Sequence, residues 1–378
     1  MLLPVAAFSG WYIAKGLPTK KSINYRPISD AEYYMGLSFV LQNETDKAVG
    51  HLIKMLEVNS ETVELHLALA LLFRKKGEVD RSIRIHQNIL ARQDLSQILK
   101  DQVRYELGVD YYAAGLLDRA ERVFSDLSNA DIYSAKAAKL LAKVYEKEKN
   151  WLAAIASVRQ CNDSSNSTCS SSQISHYYCE LALEFIEASH FRDAADALKK
   201  ARDAEFNNIR VNIIEADLLI KQNNYTGAIK QLLEVSNKNG LYISEIIDPL
   251  IRCYDEIKGQ QNDAAVASEL RLDCGSLHAS ESHVAGLVGT SSNEAALAFI
   301  EDNVKKKPSV QILRKYVTLS QAKVIDPEIK SSFAIINRFL DNLSDKPGAY
   351  LCYSCGYSGS RLFWQCPSCE NWASLKPI

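Results

Sequence analysis

The amino-acid sequence predicts an all-α protein: a superhelical solenoid of helical hairpins that ends in a small four-cysteine metal knuckle. The first observation is that small and aromatic residues recur every 34 residues along most of the chain. The second is that four of the nine cysteines fall in the last 27 of 378 residues. The composition, 47% hydrophobic and 24% charged with 16 glycines and 9 prolines, excludes collagen, a wholly disordered chain and a polytopic membrane protein. The net charge of −2 excludes a strongly basic protein that would attract nucleic acid through its overall charge.

Residues 1–14 form an uncharged, mostly apolar segment, and residues 15–28 carry four basic side chains. Fourteen helical residues rise about 21 Å, which is short for a hydrocarbon core about 30 Å thick. The charge follows the apolar stretch, which disfavours a secretory signal and indicates that the bulk of the chain lies on the cytoplasmic side. We expect an N-terminal membrane anchor at 1–14, with its first residues missing, and a basic juxtamembrane linker at 15–28. An interfacial segment and an ordinary helix buried on the array are the alternatives.

The 34-residue period predicts the central array, residues 29–343. Within a unit, a small residue is followed three residues later by an aromatic residue or Leu and twelve residues later by another small residue, which is tetratricopeptide spacing. Each unit is a helical hairpin whose small residues let its two helices approach closely. The clear units are 29–62, 63–96, 101–134, 135–168, 175–208 and 209–242. Two degenerate units, one around Tyr254 and one ending at Pro308, precede a less regular helical pair at 311–343.

The segment 161–174 contains six serines and interrupts the array. It predicts a flexible loop.

Arrays of this kind bind peptides or protein partners on the side lined by the first helix of each unit. Four lysines spaced by three, four and four residues form one stripe along such a helix, and we hypothesise a basic, aromatic-lined groove for an acidic segment. A merely solvated lysine face is the alternative. The candidate groove residues are Lys136, Lys139, Lys143, Lys147, Arg74, Lys75, Tyr105 and Tyr112.

Residues 344–378 contain two C-x2-C pairs separated by ten residues. Each pair points two thiolates at one place, so the four ligands would be Cys352, Cys355, Cys366 and Cys369. A pair of disulfides is the alternative, and a reducing cytoplasm disfavours it. The turns C-x2-C-G-Y and C-P-x-C look like rubredoxin knuckles, although the spacer is much shorter. A tetrahedral site of four cysteine sulfurs suits both iron and zinc, so the ligands do not identify the metal. Nucleic-acid binding by a zinc ribbon is weakly supported, since the tail holds only three basic residues.

The other five cysteines lack metal spacing and are explained by packing. The seven histidines are dispersed, and the sequence contains no phosphate-binding loop, nucleophile elbow or dinucleotide fingerprint. We therefore predict that the protein is not an enzyme.

The combination of apolar leader, tetratricopeptide array and four-cysteine tail resembles the lipopolysaccharide assembly protein B family. The similarity covers nearly the whole chain. The leader is shorter than the family's usual anchor, and the serine-rich loop is a local elaboration. The segments that carry the resemblance are Gly77–Gln87, Asp110–Glu121 and Trp364–Ile378.

The resemblance implies an adaptor at the cell inner membrane of a Gram-negative bacterium, anchored N-terminally and facing the cytoplasm. In that family the protein regulates lipopolysaccharide synthesis by promoting FtsH-dependent proteolysis of the deacetylase that commits carbon to lipid A. It also gathers other lipopolysaccharide assembly proteins. The resemblance implies one iron ion as the cofactor, with zinc as the alternative, and the sequence leaves a homodimer open. An electron-transfer module tethered to a scaffold and a general chaperone cofactor are the competing functions.

Overall fold

The computed structural model describes most of the chain and divides into two compact units, Met1–Glu148 and Lys149–Ile378, called here the first and second units. The described residues are 44–58, 63–129, 132–164, 171–259, 310–323, 325–344 and 350–377, with isolated residues at 35–42 and 297–305.

The first unit consists of helical hairpins, as the period predicts. Its helices are α1 (Thr45–Val58), α2 (Val63–Lys75), α3 (Val79–Leu90), α4 (Gln97–Ala113), α5 (Leu117–Asp126) and α6 (Ser134–Lys147). The largest core cluster here joins α4, α5 and α6 around Phe124, which is fully buried.

The second unit continues the helices and ends in a small sheet. Its helices are α7 (Trp151–Ser164), α8 (Ser171–Glu187), α9 (Phe191–Ala204), α10 (Ile209–Lys221), α11 (Tyr225–Lys238), α12 (Ile243–Gly259), α13 (Val310–Lys323) and α14 (Pro327–Ser344). The strands are β1 (Tyr350–Cys352), β2 (Ser358–Gly359) and β3 (Leu375–Pro377). The sheet is antiparallel in the order β2-β1-β3, with Leu351 opposite both Ser358 and Lys376. These strands and their turns, residues 350–377, are called the tail below.

The small residues that define the repeat are buried. We count positions from the first residue of each predicted unit. Position 8 holds a buried Ala70, Gly108, Ala142, Ala182 and Ala216. Position 20 holds Ser82, Ala120, Ala154, Ala194 and Ala228, all with 0% exposure. A side chain larger than a methyl group or hydroxymethyl group at these positions would hold neighbouring helix backbones apart.

A second periodic feature lies at position 15 and was not predicted from the sequence. In the five units between residues 63 and 242, this position lies two residues after the first helix and has a positive φ, which Gly77 and Gly115 adopt without steric cost. The same conformation is taken by Lys149, Ser189 and Asn223, with φ of 57°, 61° and 60°.

Paired hydrogen bonds close the end of the first helix. In the unit that begins at residue 63, the N–H of Glu78 donates to the carbonyl of Phe73 and the N–H of Gly77 donates to that of Arg74. This pair of bonds is the Schellman pattern, which satisfies the last carbonyls of the helix and fixes where the second helix starts.

The predicted loop at 161–174 is shorter than expected. The helix α7 continues to Ser164 and α8 begins at Ser171, so only 165–170 lie outside the described residues. Cys161 lies buried in α7 and is disulfide-bonded, which corrects its assignment as a packing residue alone.

The prediction of an anchored inner-membrane protein needs correction. No helix within the described ranges is both long enough and apolar enough to cross a membrane. The longest of these helices, α14, carries Glu328, Lys330, Arg338 and Asp341, whereas a spanning helix needs about 20 mostly apolar residues. The predicted anchor at 1–14 and linker at 15–28 lie outside the described residues.

Candidate functional site

Two similar turns hold the four cysteines of the tail. After Cys352, at the end of β1, the chain turns so that the N–H of Gly356 donates to the Cys352 carbonyl at 2.9 Å. After Cys366 the N–H of Glu370 donates to the Cys366 carbonyl at the same distance. Both turning residues have positive φ, 76° at Gly356 and 59° at Glu370. The two turns therefore present their cysteine pairs in the same local geometry.

The four sulfur atoms have the spacing of a metal site. All lie within 4.8 Å of one another, with Cys352 Sγ 3.7 Å from Cys369 Sγ and Cys355 Sγ 3.7 Å from Cys366 Sγ. A tetrahedral metal with metal–sulfur bonds of about 2.3 Å would place its sulfurs about 3.8 Å apart, whereas a disulfide needs about 2.05 Å. This arrangement can bind one metal ion, and four thiolates suit iron and zinc alike.

The surroundings of Cys352 favour the thiolate that a metal requires. Burial raises the pKa of this thiol. Hydrogen bonds with the Ser374 hydroxyl and with the backbone of Cys355 and Ser354 outweigh burial, so the pKa of Cys352 is lowered to about 6.

The tail packs on the repeats of the second unit through two tryptophans. The ring of Trp372 stacks on His176 of α8, with 5.3 Å between centroids, and meets the edge of Tyr177 at 5.9 Å. The ring of Trp364 stacks on Tyr242, with 5.7 Å between centroids and 9° between planes. The two half-buried indoles attach the tail to the helices through these aromatic contacts.

The two tryptophans cover Arg210 and His176. The guanidinium carbon of Arg210 in α10 lies 5.7 Å from the centroid of Trp364 and 5.6 Å from that of Trp372. Its Nη2 donates to Glu180 at 2.5 Å, but its buried Nε and Nη1 have no hydrogen-bond partner within the described structure. The same holds for Nδ1 of His176. Burial and then the Arg210 charge lower the pKa of His176 to about 3, so the ring is neutral at physiological pH.

The predicted lysine stripe lies along α6 in the first unit. Lys136, Lys139 and Lys147 are exposed and Lys143 is half-buried. The ammonium of Lys147 lies 4.6 Å from the ring centroid of Tyr112. Of the ion pairs found among described side chains, none involves Lys136, Lys139 or Lys143.

Tyrosines line the start of this stripe. Tyr105 of α4 lies 5.4 Å from Tyr133, centroid to centroid, and Lys136 Nζ lies 5.4 Å from the Tyr133 ring. Tyr133 was missed in the sequence because it precedes α6 and belongs to no periodic position. Burial and then the charge of Glu106 raise the pKa of Tyr105 and of Tyr133, which places a carboxylate beside the two rings.

Arg74 has an internal role. It donates to Asp110 at 2.9 Å and to Glu106 at 2.5 Å, and its side chain is 18% exposed. Asp110 is fully buried and also accepts from Ser82 at 2.7 Å, with His86 Nδ1 at 2.6 Å. The charge of Arg74 is therefore balanced within the first unit, while its sequence neighbour Lys75 is exposed.

Two family profiles agree with this architecture. A family profile described as "Rubredoxin metal binding domain" matches residues 350–377, and one described as "Tetratricopeptide repeat" matches residues 179–239. Among solved structures, a repeat protein from Cytophaga hutchinsonii is 10% identical, with a TM-score of 0.43 over 68% of this chain and 100% of that one. PilF of Pseudomonas aeruginosa is 17% identical, with a TM-score of 0.34 over 55% of this chain and 90% of that one.

The curated relatives match over the full length. Lipopolysaccharide assembly protein B of Escherichia coli strain K12 is 30% identical over 384 aligned residues, which cover 100% of this chain and 97% of the relative. The protein of that name from Haemophilus influenzae is 27% identical with the same coverage. The resemblance drawn from the sequence is thus confirmed, and the chain belongs to the lipopolysaccharide assembly protein B family.

Proposed function

We propose that this protein is a non-enzymatic scaffold in lipopolysaccharide assembly, which captures an acidic segment of a protein partner on the lysine face of α6. The observation that carries the proposal is the row of lysines on α6, of which Lys136, Lys139 and Lys143 form no ion pair with a described side chain. Tyr133 lies against Lys136, and Tyr112 lies against Lys147. Lysines that no carboxylate neutralises attract acidic chains, and tyrosine rings add contact area at small entropic cost. The relatives' name supports the biological setting.

The finer proposal is regulation by proteolysis. The partners would be an FtsH-type protease and the deacetylase that commits carbon to lipid A, together with other lipopolysaccharide assembly proteins. The array would hold the deacetylase near the protease. The tail would stay fixed to the repeats by one metal ion, iron on the family resemblance, bound by Cys352, Cys355, Cys366 and Cys369. The resemblance of the sequence supports this proposal.

Charge reversal of the lysine face tests the scaffold. The double variant K139E/K143E should lose the captured partner in a pull-down, because two repulsive contacts replace two attractive ones at the centre of the stripe. Lys199 and Lys200 provide a matched control, since both are exposed on α9, a second helix of its repeat. K199E/K200E changes the net charge equally and should leave capture unchanged. Equal capture by both double variants would remove the lysine face from the proposal.

Deacetylase turnover tests the finer proposal. In cells that carry C366S/C369S, the tail should lose its metal and the deacetylase should accumulate. Normal turnover with a metal-free tail would contradict a role of the tail in proteolysis.

Electron transfer is the second candidate function, because Cys355 is exposed although it belongs to the metal-site geometry. An exposed ligand would let an electron pass between an iron ion and a protein donor. A purified chain that contains iron and is reversibly reduced by a flavoprotein reductase would favour this function, and a colourless zinc protein would end it.

A further inference from the structure

We propose that the lysine face is one side of a two-sided surface, which selects a short extended segment whose acidic and large apolar side chains alternate. The other side is a row on α4 that consists of Ile98, Tyr105 and Tyr112, called here the α4 row. This rests on the proposed function, because the lysine face is taken as the place where the partner binds, and it adds which side chains of the partner are selected.

The α4 row follows from helix geometry. Its three residues are spaced by seven, which is nearly two complete helical turns, so their side chains lie on one side of α4. Ile98 is 64% exposed, and Tyr105 and Tyr112 are half-buried. Apolar surface that water reaches in this way gains free energy when a ligand covers it.

Contacts at two places put the rows side by side. Tyr105 lies 5.4 Å from Tyr133, centroid to centroid, and the Lys136 ammonium lies 5.4 Å from the centroid of the same Tyr133 ring. Further along both helices, the Lys147 ammonium lies 4.6 Å from the Tyr112 ring centroid. The lysines and the α4 row therefore run alongside each other in the same direction.

The two sides of this surface differ in charge. On α4, Asp101 accepts from Arg104 at 3.3 Å, and Glu106 accepts from Arg74 at 2.5 Å. After burial, the charges of Glu106 and Asp101 raise the pKa of Tyr133, so both carboxylates act at the junction of the two rows. Acidic side chains of a ligand are therefore attracted to the lysines of α6 and are disfavoured beside α4, where an apolar side chain fits.

An extended chain fits the junction of the two rows. Successive side chains of an extended chain point to opposite sides, so one set can face α6 while the other set faces α4. From Ile98 to Tyr112 the helix rises about 21 Å, which an extended chain covers in about six residues. The fitting ligand is thus a segment of about six residues in which acidic side chains alternate with large aliphatic or aromatic ones.

The test measures fluorescence anisotropy of fluorescein-labelled peptides with the full chain. The alternating probe is Leu-Glu-Trp-Glu-Leu-Glu. The block probe, Leu-Trp-Leu-Glu-Glu-Glu, has the same composition, and the acidic probe, Gly-Glu-Ser-Glu-Gly-Glu, has the same charge without large apolar side chains. The alternating probe should bind at least about tenfold more tightly than either of the others, because it alone covers both rows along their length.

Two exposed aliphatic residues provide matched variants of the protein. Ile98 and Leu152 are each the second residue of a helix, α4 and α7, and they are 64% and 66% exposed, so neither substitution by serine removes core packing. I98S should bind the alternating probe about fivefold more weakly and the acidic probe as the parent protein does. L152S should change neither affinity.

These measurements distinguish failure of the selection from failure of the proposed function. If the alternating probe binds no more tightly than either other probe, while K139E/K143E removes the binding, selection of alternating segments is overturned and the lysine face stands. Equal effects of I98S and L152S would likewise overturn the role of the α4 row. If no probe binds, or if K139E/K143E binds the probes as the parent protein does, the lysine face itself is wrong, and the selection is overturned with it.

Discussion

Substitution of Gly108 by alanine tests how the repeats pack, because sequence and structure predict opposite results. Position 8 holds alanine in four of the other five clear units, at Ala70, Ala142, Ala182 and Ala216. Alanine stabilises a helix interior by about 1 kcal/mol relative to glycine. On sequence grounds Gly108→Ala should be harmless or stabilising.

The structure predicts instead that Gly108→Ala destabilises the protein. A Cβ on Gly108 would lie 2.6 Å from Cε1 and 2.9 Å from Cζ of Phe124, far inside the normal carbon contact of about 3.5–4.0 Å. Phe124 has 0% exposure and cannot swing into solvent. Overpacking of this kind costs about 1–3 kcal/mol, which equals or exceeds the helix-propensity gain. We expect G108A to destabilise the first unit by about 1 kcal/mol on balance.

The chain provides a matched control in Gly50. It also lies inside a helix, α1, but a Cβ there would meet nothing within 4 Å. Urea unfolding followed by circular dichroism should therefore show G50A stabilised by about 1 kcal/mol and G108A destabilised. In a background with F124L, which removes the ring, G108A should lose most of its cost. The reasoning is refuted if G108A stabilises the protein as much as G50A does.

Three further predictions concern the turns, the metal and His176. Ser189→Gly should raise the thermal midpoint by the equivalent of about 1 kcal/mol because it relieves the left-handed φ of 61°, whereas Gly115→Ala should lower it. Chelation of the metal should increase hydrogen exchange throughout 350–377 and leave the helical circular dichroism nearly unchanged; a tail that stays protected would contradict coupled folding. His176, with its pKa lowered to about 3, stays neutral when folded but protonates below its unfolded pKa of about 6.5, so stability is lost as the pH falls from about 6.5 towards 3. The loss between about pH 7 and pH 5 should be about 2 kcal/mol smaller in H176F than in the parent protein, and equal losses would show that the ring does not stay neutral.

The fold was predictable because its determinants are local and periodic. A small residue at positions 8 and 20 is required wherever two helices approach, so the requirement repeats every 34 residues and is visible in one sequence. The four cysteines were visible for the same reason, since two short turns fix the geometry of a metal site. Position 15 could not be predicted because its left-handed conformation is adopted by glycine, lysine, serine and asparagine. These residue types share no property that would appear as a repeat in the sequence.

The roles of individual charged residues could not be predicted in this way. Arg74 and Lys75 are neighbours in sequence, yet Arg74 reaches the buried Asp110 of α4 while Lys75 is exposed. The two residues differ because α4 lies beside α2, which brings Asp110 to Arg74 although Asp110 is 36 residues later in the chain. A contact between residues so far apart in sequence cannot be predicted from a local pattern.

The placement of the tail shows why position 2 of a repeat cannot be assigned from sequence. Lys136, His176 and Arg210 share this position, and only Lys136 was assigned a binding role from the sequence. In the structure Lys136 is exposed, whereas Trp364 and Trp372 cover the other two. The two tryptophans come more than 150 residues after Arg210, so their choice of site depends on the tertiary fold. The same position of the repeat is therefore exposed in one unit and covered by the tail in two others, and only the tertiary fold decides which.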